Sequence, residues 1–323
     1  MIKSQLGGEN GYRHLLIYAH GGLNSAQDSA ERTRALAPVL KANGIYPFMV
    51  MYETGFGETL KDLIFAKGAS RNERAGGVTD LNDLIIEKAV GWVGARMWRE
   101  MKEDAGEMFK AGGAGSKVLT SFMTHLADDI ANKGIKLHFV GHSLGSVLIG
   151  HLLQSFLSAT DRQGHLASLS LMAPACQTDF FNRFYADDLN TIDDFAIYNL
   201  SEQAELADNV GWVYRKSLLY LVSNAFEDKP QTPLAGMDKF RHQLRMGKGN
   251  IHIASESSKV TRSSSHGGFD NDPFTLNHLM GRVLGQPPKR PFTAEDLDYS
   301  GFPSWPSHFG TVVRAGQSGG TGG

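Results

Sequence analysis

The chemistry this chain could do begins with Ser143, in the stretch Ile135 to Ser146, IKLHFVGHSLGS. Leu137, Phe139 and Val140 form an apolar run of strand length, and Val147, Leu148, Leu152 and Phe156 recur at helical spacing. A strand therefore ends, and a helix begins, around Ser143. A serine on so tight a turn needs small residues two before and two after it, and Gly141 and Gly145 supply them. In this G-x-S-x-G arrangement the serine oxygen stands above the end of the sheet and the next backbone N–H points into the same space, which suits attack on an acyl carbonyl. The pattern alone is cheap: roughly 0.3 copies are expected by chance from the glycine and serine content, and Gly316, Ser318 and Gly320 make a second one. That copy has no strand before it and no helix after it, so context singles out Ser143.

The elements that must position this serine read as alternating strands and helices. Strands are predicted over 14–19, 46–52, 166–173, 194–200 and 251–254, besides the one leading to Ser143. Ser25 and Asp28 suggest the start of a helix that runs through Leu36 and Leu40, is kinked or shortened at Pro38, and ends by Gly44. Residues 118–130 form another, stopped by Gly134, and 210–226 a long one. Asp272 and Pro273 begin a last helix carrying Leu276, Leu279, Met280 and Val283. Such alternation implies an α/β fold with a mainly parallel central sheet of about six strands and helices on both faces.

In such sheets ligands gather at the carboxyl ends of the strands. The segments there are His20-Gly21-Gly22-Leu23, Glu53-Thr54-Gly55, Ser143, Pro174 to Asp179, Ser201 to Asp208, and Ser255 to His266. A serine, acids and a histidine thus occur in the order Ser, Asp, His. This order, with G-x-S-x-G on an α/β pattern, resembles the α/β-hydrolase superfamily of serine hydrolases, carboxylesterase- or lipase-like, over roughly residues 12 to 285.

The resemblance implies specific roles. Ser143 matches the nucleophile, His266 the base that takes its proton, and Asp208 the acid that fixes the imidazole tautomer and stabilises its charged form. Leu144 would give one oxyanion-hole N–H, and Gly22 or Leu23 the other. His266 competes with His252, His278 and His242, but His252 falls within a strand and His278 on a helix. Glu202 and Glu205 share the loop of Asp208, and Asp179 is a less usual alternative. His20, Gly21 and His142 border the expected site as substrate contacts or positioning residues. Two departures stand out: too few residues precede the first strand for a full eight-stranded sheet, so the fold is expected to be truncated at that edge, and the oxyanion turn reads HGGL rather than HGGG.

Residues 53–117 are an unusually long, mostly helical insertion, a possible cap. Met97, Trp98, Met101, Ala105, Met108 and Phe109 fall on one helical stripe, either facing the core or meeting an apolar substrate through Trp98 and Met101. Gly112 to Lys117, GGAGSK, has the wrong order for a phosphate loop and reads as a linker. One α/β domain is expected over 1–285, with an irregular tail over 286–323.

The 32 basic and 34 acidic residues create no net field for nucleic acid or an anionic membrane. The single cysteine, Cys176, excludes an internal disulfide and a cysteine-based zinc site, and it reads as a core residue. No HExxH or histidine cluster points to a metal, and no cofactor is expected. No secretory signal and no stretch of membrane-spanning length is visible, so a cytoplasmic location is expected. The expected reaction is cleavage of a small-molecule carboxylic ester through an acyl-enzyme. Acyl transfer or amide cleavage with the same residues, or a non-catalytic binding module on the same scaffold, are the alternatives.

Overall fold

The computed structural model describes residues 6, 11–21, 26–50, 79–210 and 214–298. It is an α/β fold with a six-stranded, all-parallel sheet flanked by helices. The strands are β1 (His14–Ala19), β2 (Ile45–Val50), β3 (Lys136–His142), β4 (Ser168–Met172), β5 (Phe195–Asn199) and β6 (Asn250–Ile253). Their order across the sheet is β2-β1-β3-β4-β5-β6. The inner strands are almost wholly buried, as runs such as LLIYA and LHFV require, whereas the edge strands β2 and β6 are half-buried. Pro47, which lacks an N–H, is tolerated because β2 is an edge.

Strand register shows that both faces are covered. Phe139 of β3 meets Phe156 of α4 (Gly145–Ala159), and its partner Leu169 on β4 shares that face. Ser170, one residue on, points the opposite way and accepts a 3.0 Å hydrogen bond from Arg282 of α8 (Pro273–Leu284). Asp272 caps α8, accepting from Phe274 and Thr275 N–H, with Pro273 in the first turn. α1 (Ala26–Ala42) runs through Pro38 without ending there and packs beside β2.

The insertion enters the described residues at α2 (Thr79–Phe109), which forms a hairpin with α3 (Ala114–Lys133) and packs along α4; residues 53–78 lie outside them. The GGAGSK linker is shorter than expected. Gly112, at φ 82°, makes the turn and α3 starts at Ala114 rather than 118. The long helix expected over 210–226 is a correction: Val210 pairs antiparallel with Tyr214, and among the described residues of this stretch helix forms only at α7 (Leu218–Leu221) and a π-turn, Val222–Phe226. Ser217 accounts for the late start, since its hydroxyl caps α7 by accepting from Tyr220 N–H. After Gly285 the chain is irregular to residue 298 but is pinned to α8: Asn277 exchanges hydrogen bonds of 2.9 and 2.7 Å with the main chain of Phe292, which is buried. Residues 299–323 lie outside the described residues.

A polar chain crosses the lower part of the sheet, from His14 Nδ1 to His138 Nε2 at 3.0 Å and from His138 Nδ1 to Ser168 Oγ at 2.7 Å. Burial, then the charges of His14 and Lys136, push the His138 pKa down from 6.5 to about 3. Between those values the unfolded chain binds a proton at this residue and the folded chain does not. Its contribution to stability is therefore complete above pH 6.5 and is lost as pH falls toward 3, by about 1.4 kcal/mol per unit. Urea denaturation should give a slope of stability against pH between 6.5 and 4 that is visibly shallower in His138→Gln than in wild type. Equal slopes would remove His138 from the account.

Candidate active site

Ser143 sits where β3 turns into α4, at φ 52°, a left-handed conformation that few non-glycine residues adopt. The flanking glycines are required by contact. A Cβ on Gly145 would lie 2.2 Å from the carbonyl oxygen of Ala19 at the end of β1, and one on Gly141 would lie 3.0 Å from Gly145 O. Gly21, after β1, lies against Ser143, since a Cβ there would be 3.2 Å from Ser143 Cβ. The strand order reverses between β1 and β3, so the serine stands at the switch point where parallel sheets open a crevice.

Main-chain hydrogen bonds hold this strained residue. Ser143 N–H donates to Met172 O at 2.9 Å, and its carbonyl accepts from Ser146 N–H, the Ser146 hydroxyl and Ala175 N–H at 3.0, 2.7 and 3.1 Å. Ser146 Oγ also accepts from Cys176 N–H at 3.2 Å, which ties the elbow to the turn after β4. Ala173 in that turn is left-handed too, at φ 40°. Ser146 is not marked in the sequence, because a serine in the first turn of a helix has no distinguishing neighbour, whereas Pro174 to Asp179 is among the expected strand-end segments. The N–H of Leu144 has no hydrogen-bond partner among the described residues and stays available. Gly22 and Leu23, expected to give the second oxyanion donor, lie outside the described residues.

His266 Nε2 lies 2.9 Å from Ser143 Oγ, and both side chains are buried. Burial pushes the His266 pKa down to about 4, so at neutral pH the ring is uncharged and able to accept a proton. If the serine hydroxyl donates to Nε2, the ring proton is on Nδ1, which is buried with no partner. Asp208 reaches the main chain of His266 and not its ring, unlike the expected pattern: its Oδ2 accepts from the main-chain N–H of His266 at 2.8 Å, and its Oδ1 from Asn209 N–H at 2.8 Å. Burial raises the Asp208 pKa to about 6 against the pull of those two N–H groups.

The structure separates the competing residues. Glu205 is buried against the Ser217 hydroxyl, and burial in the first place drives its pKa up to about 8. It is therefore mainly neutral at pH 7 and unsuited to stabilise a cation. Glu202 accepts from Tyr220, and Asp179 is exposed in α5 (Thr178–Phe184). His252 and His278 meet edge to face beside Tyr198, and His242 is exposed.

Other expected contacts are placed differently. His20 is buried with both ring nitrogens engaged, one at 2.7 Å from Gly21 O and the other at 2.8 Å from Ser29 Oγ, so it anchors the turn rather than offering a polar group to substrate. His142 is likewise buried between protein groups. Trp98 and Met101 are buried in the core, and Trp98 gives its indole N–H to Glu227 at 2.7 Å. Glu227 also takes Lys102 and Gln177, and this network fastens α2 to the turn after β4. The stripe on α2 thus faces the core because its one polar edge has a buried partner there.

A cleft of about 770 Å³ lies between α8 and the segment after it, lined by Phe274, His278, Arg282 and Phe292 but by none of Ser143, Asp208 and His266. Among the described residues no group of three or more His, Cys, Asp or Glu is placed to hold a metal, and no helix is long and apolar enough to cross a membrane. No protein-family model matches the chain, and no curated protein matches it either.

The elbow gives a matched pair of tests. Gly145→Ala places a methyl into main-chain atoms of Ala19 and His20 and should lower unfolding stability by about 3 kcal/mol or more, or prevent folding. Gly281→Ala, on α8, meets only Gln286 O at 3.7 Å and should be neutral or stabilising by about 1 kcal/mol. Urea denaturation distinguishes the two, and equal stabilities would contradict the packing described.

Proposed function

We propose that the protein is a serine hydrolase of the α/β-hydrolase type that cleaves carboxylic esters through an acyl-enzyme on Ser143. The observation that carries this reading is the 2.9 Å contact of a neutral, buried His266 Nε2 with a serine oxygen on a left-handed elbow. The N–H of the next residue, Leu144, which has no hydrogen-bond partner among the described residues, and the reversal of strand order at the same point support it.

The chemistry follows from these positions. Ser143 Oγ attacks the ester carbonyl carbon while its proton passes to His266 Nε2. The carbonyl oxygen becomes an oxyanion, which the Leu144 N–H stabilises by about 3 kcal/mol. Collapse expels the alcohol, which takes the proton from His266 and leaves the acyl group on Ser143. Water then gives a proton to His266 and attacks the acyl carbon, and collapse releases the acid as His266 returns that proton to Ser143 Oγ. Each time His266 becomes charged, the Nδ1 proton gains a reason to close on Asp208, whose carboxylate is already held at the main chain of the same residue.

Incubation with a fluorophosphonate should label Ser143, and His266→Ala should slow labelling by about 10³-fold or more. Folded wild-type protein that takes no label would contradict the reading. The pH profile carries a second test. Because His266 is already deprotonated above about 4, the acid limb of kcat/KM should follow Asp208, rising through a midpoint near 6. In Asp208→Asn the rate should fall about 10³-fold or more and that midpoint should vanish. An acid limb unchanged by the substitution would exclude Asp208.

A further inference from the structure

Beyond the three reacting groups, we propose that His142 is a positioning residue that holds His266 by its main chain, and that Asp270, on the same segment as His266, ties that segment to the central strands. The inference rests on the hydrolase reading above. His142 Nε2 lies 3.0 Å from the carbonyl oxygen of His266. A carbonyl only accepts, so this nitrogen carries the proton. The two rings stack at 5.7 Å between centroids and 29° between planes. On the other side of the ring, His142 Nδ1 faces Asp270 Oδ2 at 3.2 Å, and with the ring proton on Nε2 this contact carries no hydrogen bond.

Asp270 is fully buried four residues after His266, within the single 3₁₀ segment His266–Asn271. Its Oδ2 accepts from the Tyr18 hydroxyl at 2.8 Å and pairs with Arg32 of α1. Tyr18 belongs to β1, which hydrogen-bonds to β3 in the register Tyr18 to Val140. The loop that carries His266 is thereby fixed to the same strands that carry Ser143.

His266 is held from both sides, its N–H by Asp208 and its C=O by His142. With the main chain fixed, ring torsions are the motion left, and Nε2 stays within reach of Ser143 Oγ. The groups facing His142 are His266, Arg32, His20 and Asp270; burial first, then the charges of His266 and Arg32, hold its pKa well down. A displacement of about 1 Å between reacting groups can cost about 10²-fold in rate, which sets the scale for losing this tether.

The test measures the fluorophosphonate labelling rate constant, and kcat and KM for p-nitrophenyl acetate, in the full chain. His142→Leu removes the donor and should lower kcat and the labelling rate by about ten- to a hundredfold with KM unchanged. His142→Gln, which keeps an N–H at nearly the same reach, should recover the rate to within about threefold of wild type. A purely structural role would lower the melting temperature of His142→Leu without this split and without rescue by glutamine. Should His142→Leu not fold, Tyr18→Phe, which removes the hydrogen bond to Asp270, takes its place and should slow labelling by about threefold or more.

Wild type that labels at Ser143, with His142→Leu or the substitute Tyr18→Phe labelling equally fast, overturns this inference alone. A glutamine variant as slow as the leucine one does the same. Wild type that does not label overturns the hydrolase reading itself, so the two failures are distinct.

Discussion

The left-handed backbone of Ser143 is the constraint to which the rest of the sheet end conforms. Such a conformation costs about 1–2 kcal/mol in a residue with a side chain, and here it also forces β1, β3 and the turn after β4 into contact. The offset comes from the four hydrogen bonds on the Ser143 main chain, three of them on one carbonyl. Gly145 permits the approach, because nothing larger fits under Ala19 O. The same geometry brings Oγ within 2.9 Å of His266 Nε2 and leaves the Leu144 N–H without a partner among the described residues. Strain, close packing and the reactive arrangement are one feature seen at three scales.

Burial sets the electrostatics around that feature. Removing water drives histidines toward the neutral form and carboxyl groups toward the protonated form, and the extent differs with the partners each one keeps. His266, with no charge beside its Nδ1, falls to about 4 and is a ready acceptor. Asp208 keeps two main-chain N–H partners and rises only to about 6, whereas Glu205 rises to about 8. At neutral pH Asp208, on the main chain of His266, is thus mainly charged and Glu205 mainly neutral.

Much of this was legible in the sequence because it depends on local pattern. Apolar runs gave the inner strands, the Gly141 and Gly145 spacing gave the elbow, and Asp272-Pro273 gave the start of α8. The meeting of Ser143 with His266 followed from the rule that strand ends share one edge. Contacts made through the fold were not legible. Tyr18 and Asp270 are 252 positions apart, and neither has a neighbour that marks it as an anchor. Ser146 looks like any serine in a first turn. The stripe of Trp98 and Met101 was equally suited to a core or to a substrate until Glu227, far along the chain, supplied the buried acceptor for the indole. The helix expected over 210–226 failed because apolar spacing says nothing of the competing cap at Ser217.

In the proposed mechanism Ser143 forms a covalent bond to the acyl group during turnover. The direct measurement is acid quenching within milliseconds of mixing with p-nitrophenyl acetate, followed by peptide mass mapping. The account predicts one acetyl group on the peptide containing Ser143, absent in Ser143→Ala. Hydrolysis with no adduct at Ser143, or with the adduct on another residue, would contradict it.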